Sequence, residues 1–449
     1  HYGMIFSKKT QLNAFQLIII GVFNYLAVFA VLVFTGVIPL PGISKAPVQE
    51  ITWWAILPDS QVESFINDFN QEYEDKVKIN YVEKDSRTLE ADLIDALASG
   101  RGPDLILAPQ ELIFKHANKL QPFTYGQINK RRFTDAFIQE GEIFFYPEGI
   151  MALPLTVDPL MLYYNRDILS TARLAAPPKA WTELETYNKA ITEADVRGNV
   201  TRSAIALGAF SNISNAKDIL AMLILQTGNP LVEQREGGGW EVTLTKDTKG
   251  DGTQSAALAT TFFNRPSNSS NSLYSWNSAL PEARQMFARN SLAMYLGFAS
   301  EYDLVRRQNP QINFDITTVP QPTAAARTDV TLGRLSALAV LRASPKAAAA
   351  AQAAVLLAWS NYAKRWADLV RLPPAQRDFL AIRPADPVAA AFYSSALIAH
   401  GWYDFDPAAT GSALRSLAES VRQGGIEVGS ALSQTERQFE ALLPAANQP

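Results

Sequence analysis

Reactive side chains are scarce in this sequence. Its 449 residues hold no Cys and three His, which excludes disulfides, thiolate metal sites and a cysteine nucleophile. His116 and His400 stand isolated, and neither has metal-ligand spacing. No GxSxG, HExxH or phosphate-loop pattern occurs. Asp247 and Asp251 lie in a glycine-rich stretch without the alternating ligands of a calcium loop. Tandem tyrosines at 163–164 are a poor iron signal. A pair of carboxylates for glycoside hydrolysis stays open, because such groups pair only in space. What remains is recognition chemistry: aromatic faces set beside planar polar side chains, the combination that binds a small polar molecule by stacking and hydrogen bonds. Trp53 and Trp54 are adjacent on an apolar run and must point to opposite faces. One belongs to the core, and Trp54 is the candidate for a ligand face. Gln110 and Glu111 follow the apolar run DLILA, where a hydroxyl could be bound, or where a helix simply starts in solvent.

The elements that would carry these residues alternate. Residues 51–57 read as a strand, and Ser60 and Glu63 as a capping box. Val62, Phe65, Ile66, Phe69 and Tyr73 then recur at helical period. Val77, Ile79 and Tyr81 alternate as a strand. A helix over Leu89–Leu97 is stopped at Gly100, and residues 104–108 form a buried strand. This β-α-β-α-β order predicts a parallel sheet with ligands beyond its carboxyl ends. Residues 152–181 read as a buried strand, a helix and a proline-stiffened turn. Residues 228–253 predict a surface hairpin, 335–341 a buried strand and 346–362 an alanine-rich helix. A net charge of −4 leaves no basic footprint, so nucleic acid is not an expected partner. The length calls for two lobes or domains.

Residues 17–40 (LIIIGVFNYLAVFAVLVFTGVIPL) carry no charge and follow Lys8 and Lys9. That length suits a membrane span of roughly 20 residues, with residues 1–16 cytoplasmic and the remainder outside. A cleaved signal peptide is the competing reading.

Six stretches, in order, carry a resemblance: TWWA at 52–55, ASGRGPDLIL at 98–107, LPLTVDPLMLYYNRDIL at 153–169, PPKAW at 177–181, FARNSLAMYLG at 287–297, and VPQP at 319–322 with GRLSALAVLRASP at 333–345. Together they resemble the family-1 extracellular solute-binding proteins of ABC importers, the maltodextrin-binding-protein-like receptors, over residues 48–445. The resemblance implies an α/β, two-lobed periplasmic-binding-protein (type II) fold with hinge crossovers, preceded here by one transmembrane helix and a linker at 41–47. It implies lobe 1 at 48–160 and 312–345, and lobe 2 at 161–311 and 346–449, with a second crossing at 298–314. Asp158, Tyr163, Tyr164 and Asn165 would set the hinge. Tyr274, Trp276, Phe298, Arg334 and Trp402 would join Trp54, Gln110 and Glu111 around the ligand. Two departures stand out: Ala180 where threonine is common, and Phe298 where tryptophan is. The implied role is a non-enzymatic receptor without cofactor or metal. It would bind a small solute, expected to be an oligosaccharide, and dock on ABC permease subunits. A membrane-anchored scaffold that reuses the same shell is the alternative.

Overall fold

The computed structural model describes residues 48–236, 238–247, 250, 254–323 and 328–444. The apolar stretch at 17–40 lies outside them. Among the described residues no helix is long and apolar enough to cross a membrane.

The alternating N-terminal pattern folds as β1 (Gln49–Ala55), α1 (Asp59–Glu72), β2 (Val77–Glu83), α2 (Leu89–Ala98), β3 (Leu105–Pro109) and α3 (Gln110–Lys115). Helix α1 buries Val62, Phe65, Ile66 and Phe69, as the period requires. Its start differs from the expected capping box. The N-cap is Pro58, which offers no side-chain acceptor. The Asp59 N–H instead donates to Glu83 Oε2 at 2.9 Å, so a neighbouring strand supplies the cap. Gly100 adopts φ +65° two residues beyond α2, a conformation that costs glycine nothing. Strand β1 runs parallel to β3, with Trp53 opposite Leu105. Trp53 is fully buried and lies 5.0 Å from the Trp366 ring, centroid to centroid.

Next come β4 (Leu153–Asn165), β5 (Val200–Ile205), α4 (Ala216–Gln226), the hairpin β6 (Val232–Gln234) and β7 (Trp240–Val242), β8 (Leu292–Phe298), β9 (Phe314–Thr317) and β10 (Thr331–Leu341). The predicted alanine-rich helix is two helices, α5 (Ala347–Trp359) and α6 (Asn361–Val370), broken where Ser360 turns extended and accepts a capping bond from Tyr362 N–H at 3.1 Å. Helix α7 (Val428–Glu440) closes the chain's described part.

One sheet threads the molecule in the order β2-β1-β3-β10-β4-β8-β5, ending on a short strand at Glu193–Ala194. Strand β4 is its long member. Its first half pairs antiparallel with β10, Arg334 lying opposite Asp158 and Gly333 opposite Pro159. Its second half pairs with β8, from Leu160 opposite Phe298 to Tyr164 opposite Met294. On the other edge of that half, β9 pairs from Thr317 opposite Leu162 to Phe314 opposite Asn165. Two bonds tie the changeover: Thr331 Oγ1 donates to Leu160 O at 2.6 Å, and Tyr163 OH donates to Phe298 O at 2.5 Å. A register shift beside Ser336 leaves Leu155 without a β10 partner, and Leu155 O accepts from Ala375 N–H at 2.9 Å instead.

Packing leaves no slack at this changeover. A Cβ on Gly297 would sit 2.5 Å from Tyr295 Cε1 and 3.2 Å from Tyr163 Cε2. Gly297→Ala should therefore destabilise the protein by about 1–3 kcal/mol, the usual range for an overpacked core. A urea midpoint unchanged from the parent would contradict that.

Candidate functional site

A cleft of about 460 Å³ opens beyond the carboxyl ends of the first strands, the position the parallel topology predicts. The end of β3 delivers Pro109, and α3 begins at once with Gln110 and Glu111. Gly333, Arg334 and Ser336 come from β10 at the point where it meets β4. Lys217 and Asp218 in the first turn of α4 also line it, with Trp402, Asp404 and Pro407 from a C-terminal segment. That segment is placed by a two-residue strand at Ala399–His400, parallel to Thr331–Leu332.

The cations of the cleft are engaged. Lys115 Nζ lies 2.8 Å from Glu90 Oε1, Lys217 pairs with Asp404, and Arg334 Nη2 donates to Asp218 Oδ2 at 2.7 Å. The Arg334 guanidinium also lies 3.8 Å over the Phe298 ring, a cation–π contact that fixes its plane. Gln110 is buried with its Oε1 accepting from the Leu335 N–H at 2.9 Å, so it ties α3 to β10.

The carboxyls outnumber these partners. Burial pushes the Glu111 carboxyl above its usual range, with the Arg334 charge opposing. Asp158 accepts from the Ser300 N–H at 3.0 Å, and burial raises it to about 6. Glu140 is the extreme case. It comes from the helical turn Gln139–Phe144, is 4% exposed, and neither carboxyl oxygen has a hydrogen-bond partner among the described residues. Burial first, then the Glu111 and Asp158 charges, raise it to about 8. Its oxygens occupy space left by two glycines. A Cβ on Gly333 would collide with Oε2, and one on Gly401 would come within 3.1 Å of Oε1.

The structure brings Gln110, Glu111, Arg334 and Trp402 together on the cleft. It places the other expected ligand residues elsewhere. Trp54 is buried with Lys84 Nζ 3.8 Å over its ring, and Phe298 is covered by Arg334. Trp276 is fully buried, its Nε1–H donating to Asn212 Oδ1 at 3.0 Å, so both ring faces serve the core. Tyr274 is half-buried and its hydroxyl accepts from Asn277 Nδ2 at 3.0 Å. Of the hinge residues, Tyr163 and Asn165 are fully buried; Asn165 caps the following helix through the Ile168 N–H at 3.0 Å and donates to Asn290 Oδ1 at 2.7 Å. Tyr164 is half-buried between Met294 and Asp315. Lys217, Asp218, Asp404 and Glu140 escaped the sequence reading. Asp404 lies two residues past Trp402, and Asp218 marks a helix start; Glu140 has no local signal.

Beside the cleft, sharing Lys115 with it, lies a second cavity of about 660 Å³ with an aromatic wall. Trp240 from β7 lies 5.4 Å from Tyr146, 4.2 Å from Tyr403 and 5.2 Å from Phe405, centroid to centroid. Among the described residues no group of three or more His, Cys, Asp or Glu side chains could hold a metal ion.

Residues 54–376 match the bacterial extracellular solute-binding protein family. Solved structures share the fold at low identity. A cyclo/maltodextrin-binding protein complexed with maltotetraose superposes with a TM-score of 0.70 at 14% identity, covering 90% of this chain and 98% of that one. The sugar-binding protein MalE from the phytopathogen Xanthomonas citri gives 0.69 at 17%, covering 88% and 97%. The GacH receptor of Streptomyces glaucescens, solved unliganded and with acarbose, gives 0.63 at 18%, covering 88% and 98%. No curated protein sequence matches the chain.

The Glu140 carboxyl yields a pH prediction. Folding holds its proton more tightly than the unfolded chain does, so its contribution is full below the unfolded value of 4.5 and is lost as pH rises towards about 8. At about 1.4 kcal/mol per pH unit the loss is at most about 5 kcal/mol. Glu140→Gln should flatten this limb. Denaturant midpoints at pH 5 and pH 8 test it: parallel pH profiles for parent and variant would refute it.

Proposed function

Because the chain belongs to the bacterial extracellular solute-binding proteins, with their two-lobed α/β fold, we propose that it is the extracytoplasmic receptor of an ABC importer and captures a carbohydrate between its lobes. One observation carries the reading. The cleft lies at the strand changeover and is lined by α3, by β10, by α4 and by a C-terminal segment that packs on α3 through Phe114 and on α4 through the Lys217–Asp404 pair. In this reading the lobe boundary runs between Pro159 and Leu160 on β4 and at Gly333 on β10, where strand partners change. A solute touching both α3 and α4 favours the closed form, since only differential affinity shifts such an equilibrium.

Gln110, Glu111, Arg334 and Trp402 are the ligand residues of this proposal, joined by Lys217, Asp218 and Asp404. Planar amide, carboxylate and guanidinium groups bind hydroxyls by hydrogen bonds with defined direction. Asp158, Tyr163, Tyr164 and Asn165 hold the hinge. The apolar segment at 17–40 would anchor the receptor, and separate permease subunits would accept the solute.

A glycan panel tests the reading through intrinsic tryptophan fluorescence and thermal shift on the purified chain. At least one oligosaccharide should raise the melting temperature saturably. Arg334→Ala should weaken that ligand tenfold or more, since it removes a charged hydrogen-bond donor from the cleft. No response across sugars and polyols would overturn the carbohydrate assignment. It would favour the same shell reused as an anchored scaffold.

A further inference from the structure

A partition bounds the cleft on one side and bears on the length of the solute, granting that this cleft is the solute site. Asp404 lines the cleft, while the next residue, Phe405, lines the second cavity. Leu112 and Phe114 of α3 divide in the same way. Between the two spaces the elements meet ring to ring. Phe114 lies 5.4 Å from Tyr403 and 6.1 Å from Phe405, centroid to centroid. The C-terminal segment and α3 thus separate two spaces that both touch Lys115.

The partition is held at every step. Ala399 and His400 pair with β10, and Trp402 stacks on Phe439. Asp404 pairs with Lys217 and accepts from the Thr410 hydroxyl at 2.8 Å. Tyr403 and Phe405 pack on Trp240. A solute would have to break backbone, ionic and ring contacts together to move it.

The recognition groups of the cleft are compact as well. Successive rings of a glycan are held largely by aromatic faces, yet among the described residues Trp402 is the one aromatic residue on the cleft, and it is 4% exposed. The accessible polar groups gather on β10. Arg334 uses one of its five N–H donors on Asp218, with its side chain 42% exposed, and half-buried Ser336 lies two residues further on. A cleft of about 460 Å³ lies low in the range of about 300–1,000 Å³ that encloses one drug-sized ligand. A disaccharide is of that size, and a tetrasaccharide is about twice it.

We infer that the solute binds end-on, with one or two sugar rings seated between Arg334 and the partition and any further ring left in solvent. Ile56 and Ser86, both exposed, mark the open side through which a longer chain would leave. A glycan without an end, such as a cyclodextrin, cannot be seated this way.

Isothermal titration of the full chain tests this with the two-ring and four-ring members of the malto-, cello-, xylo- and manno-oligosaccharides, and with α-cyclodextrin. In every series that binds, four rings should bind less than fivefold tighter than two, and α-cyclodextrin should bind at least tenfold more weakly than the best disaccharide. A larger gain with length, or a cyclodextrin that binds within tenfold of that disaccharide, would overturn the inference and leave the carbohydrate reading standing. Tyr403→Ala and Phe405→Ala each take a ring from the partition without touching a cleft-lining residue. Either should raise the four-ring to two-ring affinity ratio fivefold or more. A ratio unmoved in variants of near-parental melting temperature would overturn the partition's role. No binding by any probe would overturn the carbohydrate reading and this inference with it.

Discussion

Everything at the centre of this molecule hangs on the backbone of one strand. Residues 153–165 have partners on β10 for one half and on β8 and β9 for the other. Buried peptide groups must be paired, so neither half of the sheet can be built without this strand, and the place where partners change is fixed to within a residue. That changeover is where Asp158 faces Arg334. The cleft is therefore a consequence of the pairing: β10 ends its contact with one half of β4 and exposes Gly333 and Arg334 to the gap. The bulge at Leu155 supports the same geometry, because the freed carbonyl is taken up by the 373–375 segment rather than left open.

Packing around the changeover keeps it stiff. The Tyr163 ring is stacked on Phe314 at 5.9 Å and lies edge-on to Phe287 at 6.3 Å, while its hydroxyl is bonded to Phe298 O. Asn215 gathers the Glu301 carboxylate, at 2.7 Å, and the Tyr295 hydroxyl, at 3.2 Å, into one buried network with the Phe298 N–H. These bonds hold the strand end that carries Phe298, and Phe298 in turn carries the Arg334 guanidinium. A cleft residue is thus positioned by a polar network that never reaches the cleft. Buried polar networks of this kind favour a single arrangement over close alternatives.

Much of this was legible in the chain. Period and alternation located α1, β1, β2 and β3, and the glycine-rich polar stretch at 228–253 marked a hairpin, because local pattern and burial agree there. The 153–165 strand was legible as a buried strand because it is apolar on both faces, as a central strand must be. Other features were not. A capping box at Ser60 and Glu63 is a local signal, yet Glu83 from another strand takes the orphan donor. Trp276 lies in a polar stretch of sequence and Phe298 ends an apolar one, but the partners that cover them, Asn212 and Arg334, are 64 and 36 positions away. Glu140 is the sharpest case. It sits in an ordinary acidic stretch, EGE, and only the approach of two glycines from distant segments makes it a buried, unpartnered acid.

Pairing inside the cleft also bears on how a solute could close it. The Arg334–Asp218 bond joins the changeover strand to α4, and Lys217–Asp404 joins α4 to the C-terminal segment. A solute that displaced the largely buried Lys217–Asp404 pair would lose its interaction and leave a charge unpaired, which outweighs one new hydrogen bond. On the same physical ground the aromatic nest around Trp240, packed ring against ring at 4.2 Å, serves better as a wall than as a platform: a solute entering it would have to part rings that already satisfy one another.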